Sequence, residues 1–485
     1  MSSDKLLEDQ NIIDIGSRLE LFVDNFLISQ LEGVSRNLHS PVPQEIILNF
    51  DSPWDGSLSA YSSIFQDGEK YKMYYRGRPM PQQLSSMTSE EMWAWIPDNW
   101  SGGSVTCYAE SNDGVNWVKP NLGLFKSEVT GEKNNNIILV TDKNKWPNAT
   151  DNFVAFLDKN PNVEPSAKYK GIGRHFVGGG YHTGNKAFKS SDGISWSLIQ
   201  DELIHVDKGH THDAQNIVFW DSFRNRYVEY HRKFREGIRE TRTSTSTDFL
   251  NWSDQVHVEF GDAPKEHFNN LLVLPYDRAP HIFLGFGSRL NTDRDDFLNS
   301  PTDGIEDGVF LSSRDGVNFD RSFMEGWIRP GLDIHNWIHL GTSPSWGLLQ
   351  TNKNELSLYW QNGYHQADHV CHLRRGTLRL DGFVSMNASY AGGTFITKKI
   401  KFTGKFLLIN FSTSVVGTIR VELQDFEGNP IAGYTMDDCF DIYGDSTEYI
   451  VKWKDNFNLG FLSEQLIRLK IYIKDGDLYS IQFKE

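Results

Sequence analysis

The chain is expected to be all-β: a five-bladed β-propeller followed by a C-terminal β-sandwich. Three observations predict it. The first is a short turn motif, Ser-x-Asp with a turn and then an aromatic. It occurs at Ser111-Asn-Asp-Gly-Val-Asn-Trp117, Ser190-Ser-Asp-Gly-Ile-Ser-Trp196, Ser246-Thr-Asp-Phe-Leu-Asn-Trp252 and Ser313-Arg-Asp-Gly-Val-Asn-Phe319, with a worn fifth copy at Leu380-Asp-Gly-Phe383. The second is spacing. Asp113, Asp192, Asp248, Asp315 and Asp381 stand roughly 79, 56, 67 and 66 residues apart, too long for a solenoid repeat and right for a multi-stranded blade. The third is composition: 13% aromatic residues and 41 glycines in 485 residues suit many short strands meeting at tight turns. Asp-Gly provides the positive-φ geometry of such a turn, and Ser and Asp side chains cap its free amides.

Each blade reads as a short apolar strand, a strand of alternating aromatics, and a third strand closing at the turn. Blade one is Ser59–Phe65, Tyr71–Arg76 and Val105–Ala109; blade two is Phe153–Leu157, Tyr169–Gly173 and Asn185–Lys189. Blade three is Asn216–Trp220, Arg226–Tyr230 and Glu240–Ser244; blade four is Asn270–Leu274, His281–Phe286 and Gly308–Leu311. Blade five is Ser345–Leu349, Glu355–Trp360 and Val370–Leu373. The early strand Leu19–Asp24 is expected to pair with the last blade and close the ring, since an open edge is a liability. Helix is expected only at Leu84–Trp95 and near Asp293–Phe297. After Met386 the turn motif stops and alternating strands such as Phe406–Phe411, Thr418–Leu423 and Ile467–Ile473 take over, the pattern of a sandwich. The expected domains are 1–388, the propeller, and 389–485, the accessory sandwich.

A formal net charge of −16 argues against nucleic acid or an anionic membrane surface as partner. Cys107, Cys371 and Cys439 are too few and scattered for a disulfide framework or a zinc site. The opening residues carry no signal-peptide core and no stretch could span a bilayer, so the chain as given reads as cytoplasmic, although a trimmed secreted protein would look alike. Nothing in the sequence fixes the oligomeric state.

Residues just ahead of the innermost strands converge on one mouth of a propeller. Here they include Asp55, Asp151, Asp213 and Glu266, one from each of four blades. Carboxylates sharing one cavity split their pKa values, which leaves one as an acid and another as base or nucleophile, the pairing that glycoside hydrolysis requires. Around them stand candidate substrate contacts: Trp54, Tyr61, Arg76, Arg174, His175, His212, His231, Arg232, His267, Arg289 and His339. Trp93, Trp95 and Trp100 are further candidates for a sugar-stacking wall. The bland reading is a turn cap for each acid, a salt bridge for each arginine and core packing for each aromatic. The aspartates of the Asp-Gly turns read as structural. His210, His212, Asp213 and His267 lack a secure metal-ligand spacing, so no metal or cofactor is expected beyond a structural calcium or other ion in the channel.

These motifs resemble the five-bladed propeller glycosidases, the group containing glycoside hydrolase families 43, 32, 68 and 117, over about residues 15 to 385. Leu21–Ile28, Tyr74–Gly77, Ala279–Phe286 and Gly376–Phe383 are similar to a bacterial glycosyl-hydrolase-like set. The resemblance implies an aspartate of blade one as base or nucleophile, matched by Asp55 with Asp24 as second candidate, and a blade-two aspartate that tunes the acid, matched by Asp151. It also implies a blade-three glutamate as acid, where this chain has Asp213 and carries its glutamate, Glu266, in blade four. The expected function is exo hydrolysis of terminal sugars from an oligo- or polysaccharide. The alternatives are a non-catalytic carbohydrate-binding propeller and a sugar transferase, phosphorylase or lyase on the same fold.

Overall fold

The computed structural model describes residues 12–79, 104–177, 182–208, 211–295, 297, 304–364, 369–454 and 456–485. Five blades are present among the described residues, the first and fifth joined in one nine-stranded sheet. Blade one is built on Ala60–Asp67, Lys70–Gly77 and Val105–Ser111, blade two on Val154–Leu157, Tyr169–Val177 and His182–Ser190, and blade three on Ile217–Asp221, Arg226–Arg235 and Ile238–Ser246. Blade four is built on His267–Tyr276, Ala279–Asn291 and Ile305–Ser313, and blade five on Thr342–Asn352, Glu355–Asn362 and His372–Arg379. All are antiparallel meanders, and the innermost strands of blades one and five meet in parallel at Ser63 and Trp346. Among the described residues, helix is confined to three-residue 3-10 turns. Leu84–Trp95 lies outside the described residues, and the described part of Asp293–Phe297 forms no helix.

The ring is closed by a strand other than the expected one. Val42–Asn49 pairs antiparallel with His372–Arg379 as the fourth strand of blade five. Glu20–Leu21 instead pairs with Leu466–Lys484 in the other unit. The same strand swap explains the worn fifth turn. A blade whose outermost strand arrives from upstream needs no hairpin there, and Asp381 sits in a turn between His372–Arg379 and Val384–Ala388.

The chain divides into two compact units, Pro41–Asn352 with Leu356–Thr377, and the residues up to Ser40 with Lys353–Glu355 and Leu378–Glu485. The expected boundary at residue 388 is therefore corrected at both ends. Ile12–Gly16 runs parallel to Lys399–Phe402, Ile28–Glu32 pairs with Gly393–Thr397, and Ser35–Leu38 pairs with Val384–Ala388. The physical cause is apolar: Ile15, Phe22, Leu27 and Val34 join the core of Phe395, Ile419, Trp453, Ile471 and Phe483. In this β-sandwich two long strands, Phe406–Asp425 and Leu466–Lys484, pair along their length with register breaks at Asn410/Phe411 and Thr413/Thr418, and tie the strands into one continuous sheet.

The Asp-Gly turns join the third and outermost strands, at the mouth opposite the starts of the inner strands. Each is built alike. Asp113 Oδ1 accepts the amides of Val115 at 2.8 Å and Asn116 at 2.7 Å, and Ser111 Oγ accepts the amide of Gly114 at 3.0 Å. A tyrosine of the preceding blade then donates to the carbonyl of the turn glycine: Tyr359 to Gly114 at 2.6 Å, Tyr74 to Gly193 at 2.9 Å, Tyr230 to Gly316 at 2.8 Å. The glycines are required twice over, by φ values of +73°, +77° and +84° and by space, since a Cβ at Gly193 would lie 2.5 Å from the Tyr74 hydroxyl. Blade three is the exception. Phe249 occupies the glycine position at φ +73°, and the equivalent of the tyrosine in blade two is Ile172, which has no hydroxyl. Phe249 is fully buried, with Tyr227 at a ring distance of 5.3 Å and Phe156 at 5.9 Å.

This latch yields a double-mutant test. Gly193→Ala is expected to destabilise the chain by about 2 kcal/mol through positive-φ strain and the clash with Tyr74. In a Tyr74→Phe background, where the nearest remaining atom is an ordinary 3.4 Å contact with Tyr169, the same change is expected to cost measurably less. Denaturant unfolding of the four variants reads the coupling; strictly additive effects would refute the latch.

Candidate functional site

Residues just ahead of the inner strands of blades two and three meet the ends of second strands through hydrogen bonds. Asp151 and Asp213 meet there. Asp151, in the 3-10 turn Ala149–Asp151, is buried; its Oδ1 takes Arg78 at 3.1 Å and Ser104 Oγ at 2.5 Å, and its Oδ2 takes Arg174 at 3.2 Å. The other terminal nitrogen of Arg174 bonds Asp213, whose second oxygen takes Arg232 at 3.0 Å. One guanidinium thus bridges the two carboxylates. Burial alone would raise both pKa values, but Arg78 and Arg174 at Asp151, and Arg174 and Arg232 at Asp213, outweigh it and hold both below the usual carboxylate range. Asp213 keeps 52% of its side-chain surface exposed while its other sides are packed. It is the floor of the site.

Arg76 lies over the Tyr61 ring at 4.6 Å and donates to Leu58 O and to the Tyr364 hydroxyl at 3.0 Å. Arg76, Arg78, Arg174 and Arg232 therefore face Asp151 and Asp213, an excess of positive charge within the site. Below Tyr61 the channel is plugged: a void of only about 10 Å³ remains among Tyr61, Gln215, Leu340, Ser343 and Gln361. Tyr61, His212 and Leu340 all hold φ near +55° to +60°, a conformation rare outside glycine that concentrates at functional sites. A separate cavity of about 280 Å³ opens at the opposite mouth between Phe65, Phe156, Phe219, Leu274 and Trp346. Its aromatic and aliphatic walls hold none of the candidate acids, so it is apart from this chemistry.

Glu306 is the residue that sequence reasoning missed. It begins the third strand of blade four, is wholly buried, and accepts Ser288 Oγ at 2.5 Å. His339 Nε2 lies 3.3 Å from its Oε1. Burial pushes its pKa up to about 7, with Ser288 and Arg239 opposing. Arg232 links it to the floor, since the same guanidinium that binds Asp213 donates to Asn269 at 2.6 Å, and Asn269 also hydrogen-bonds Glu306. Two adjacent acids at the head of an apolar strand, Ile305-Glu-Asp-Gly-Val-Phe-Leu311, are the available signal.

Other expected residues fall elsewhere. Asp55 is fully enclosed, its carboxylate taken by Lys119 Nζ at 2.5 Å and the Tyr75 hydroxyl at 3.3 Å, with Cys107 beside it. Burial raises its pKa, and Lys119 counters. It is a blade-one core carboxylate and not an acid of the floor. Glu266 joins Arg289 and Arg321 at 3.0 Å each, and Arg289 also binds Asp307 at 2.6 Å, a blade-four ion cluster. The expected four-acid convergence is thus corrected to Asp151 and Asp213, with Glu306 behind them. Asp24 lies in the sandwich unit. Trp54, half-buried, donates to Asn136 at 2.7 Å and packs against the blade-one core. His175 and His231 point to the sheet faces opposite their neighbours Arg174 and Arg232, as strand alternation dictates. His231 bonds Glu229 at 2.9 Å and stacks on His212 at 4.2 Å, a buried network in blade three. Burial, then His231, holds His212 well below its ordinary value, so it is neutral. His267 Nδ1 takes the Arg239 amide at 3.3 Å. His210, Trp93, Trp95 and Trp100 lie outside the described residues.

No family model matches the chain, and no curated protein matches it in sequence. Solved structures with a similar fold include an N-acetylgalactosamine deacetylase from F. plautii, 11% identical with TM-score 0.43, covering 71% of this chain and 96% of that one. They also include a β-1,2-mannobiose phosphorylase from Listeria innocua, at 10% identity and TM-score 0.42, covering 71% and 96%. A third is an α-L-arabinanase from Penicillium chrysogenum, at 9% identity and TM-score 0.41, covering 71% and 98%.

Because Arg174 joins both floor acids, Arg174→Ala is expected to raise the pKa of Asp213 toward the ordinary carboxylate value. Carboxyl-carbon NMR titration measures it; an unmoved Asp213 would show that Arg232 alone sets the charge. Asp55→Asn, by contrast, is expected to lower stability by about 1–3 kcal/mol by removing the buried partner of Lys119, which keeps Asp51 at 3.1 Å, seen as a reduced midpoint in denaturant.

Proposed function

We propose that the chain is a glycoside hydrolase that acts at the end of a saccharide bearing a carboxylate or sulfate group. The observation that carries this reading is the divergence of two acids that share one hydrogen-bonded chain: Asp213 driven down and exposed, Glu306 driven up and buried. Groups whose environments push their pKa values apart are the usual division between base and acid. Asp213 is ionised and reaches the open floor, so it is the residue to activate water or attack the anomeric carbon. Glu306 is enclosed and touches no substrate. His339, whose side chain keeps some exposed surface beside Glu306, is the group that hands a proton to the leaving oxygen, with Glu306 as its reservoir. Asp151 holds Arg78 and Arg174 in place and is a positioning residue. The plugged channel supports a blind pocket for a terminal residue, and the surplus guanidinium charge supports an anionic substituent on it.

One observation favours a binding-only propeller: both oxygens of Asp213 are already engaged by arginines. A screen of neutral, uronate and sulfated oligosaccharides separates the two readings. Asp213→Asn and His339→Gln are expected to lose at least 10²-fold in kcat while anionic sugars still bind. Binding without turnover in the parent chain establishes the lectin reading; turnover that survives Asp213→Asn ends the assignment of Asp213.

The pH dependence follows in sign. A carboxyl raised to about 7 when folded binds its proton more tightly folded than unfolded, so its contribution to stability is full below the unfolded value and fades as pH rises through 7. Activity is expected to fall above about pH 7. Unfolding free energy is expected to decline between pH 5 and 8 by on the order of 3 kcal/mol more in the parent than in Glu306→Gln. Identical pH slopes in the two proteins would remove Glu306 from the scheme.

A further inference from the structure

Outside the arginine-lined floor, Asp333, His335 and His369 bring one ligand atom each within 4.8 Å of one another. They come from two separate segments at the same mouth of the propeller. Asp333 and His335 belong to the turn that leads from blade four to the inner strand of blade five, and His369 follows the end of the second strand of blade five. We propose that these three residues bind a divalent transition-metal ion of the zinc class, which clips the two segments together.

Four features carry the proposal. The donor set, two imidazoles and one carboxylate, suits zinc and its neighbours, whereas calcium and magnesium require all-oxygen shells. The turn is shaped in advance. Asp333 Oδ1 accepts the His335 amide at 3.0 Å and lies 2.8 Å from its ring Nδ1, which sets the carboxylate and the imidazole side by side as neighbouring donors. Asn336 donating to Pro330 O and Trp337 donating to Gly331 O, both at 2.9 Å, brace the same turn. The two rings lie face to face, 4.1 Å apart and 4° from parallel. Finally, the backbone makes room for His369: Gly363, at φ +68°, comes so close that a Cβ there would lie 2.5 Å from His369 Cδ2. His372, whose Nδ1 bonds Val370 O at 2.9 Å, lies outside this group of donors.

The test uses the full chain, stripped with chelator and titrated with Zn²⁺ by calorimetry, with Co²⁺ absorption as a second probe. One equivalent is expected to bind, with a Co²⁺ spectrum of low coordination number. Affinity is expected to fall at least 10-fold in His335→Ala, in His369→Ala and in Gly363→Ala, the last of which alters no ligand. Circular dichroism checks that each variant is folded, and His335→Gln serves if His335→Ala is not. No binding by the parent chain overturns the proposal, as does binding that all three variants retain, the mark of an adventitious ion only. Saccharide turnover is measured alongside: its loss in Asp213→Asn without loss of Zn²⁺ keeps the two sites separate.

Discussion

The contact on which the propeller turns is a tyrosine hydroxyl reaching across a blade boundary to the carbonyl of an Asp-Gly turn. Tyr359, Tyr74 and Tyr230 make it between blades five and one, one and two, and three and four. The turn is rigid because Ser and Asp cap its amides, so the hydroxyl fixes where the next blade begins. That places the inner strands side by side and, at their other ends, brings acids and arginines from separate blades to one floor. Blade three shows the constraint by its absence: with Ile172 in place of the tyrosine, the turn accepts Phe249 and is held by aromatic packing.

At the floor, charge is distributed by geometry more than by number. Asp151 and Asp213 would repel, and Arg174 between them turns the repulsion into a bridge. Arg232 extends the same network through Asn269 toward Glu306, whose pKa burial pushes up to about 7. The molecule thereby keeps Asp151 and Asp213 ionised and raises only Glu306 within one network, although it carries an overall formal charge of −16.

What the residues disclosed before any coordinates was periodic and local. The Ser-x-Asp turns and the alternating second strands follow from spacing within a blade. What escaped was long-range. Asp55 looks like Asp151 in sequence, and only Lys119, distant along the chain and adjacent in space, shows that it is neutralised inside the core. Glu306 precedes no inner strand, so a search at strand starts passed over it. Leu19–Asp24 and Val42–Asn49 are both short early strands able to close a ring. The choice fell to the sandwich core, which claims Phe22, and left the more polar Val42-Pro-Gln-Glu strand to the solvent-facing edge of blade five.

The split origin of the sandwich bears on how the chain emerges from the ribosome. Its first strands, from Ile12 to Leu38, are made before the propeller, while most of the strands they pair with, between Val384 and Lys484, are made last. Through the synthesis of more than three hundred intervening residues those apolar segments have no native neighbours. Long-range pairing of this kind is slow and leaves sticky surface waiting. Vectorial folding therefore finishes the propeller first and completes the sandwich only after Leu466–Lys484 has been made, which makes the segment from Ile12 to Leu38 the stretch a chaperone has most reason to hold.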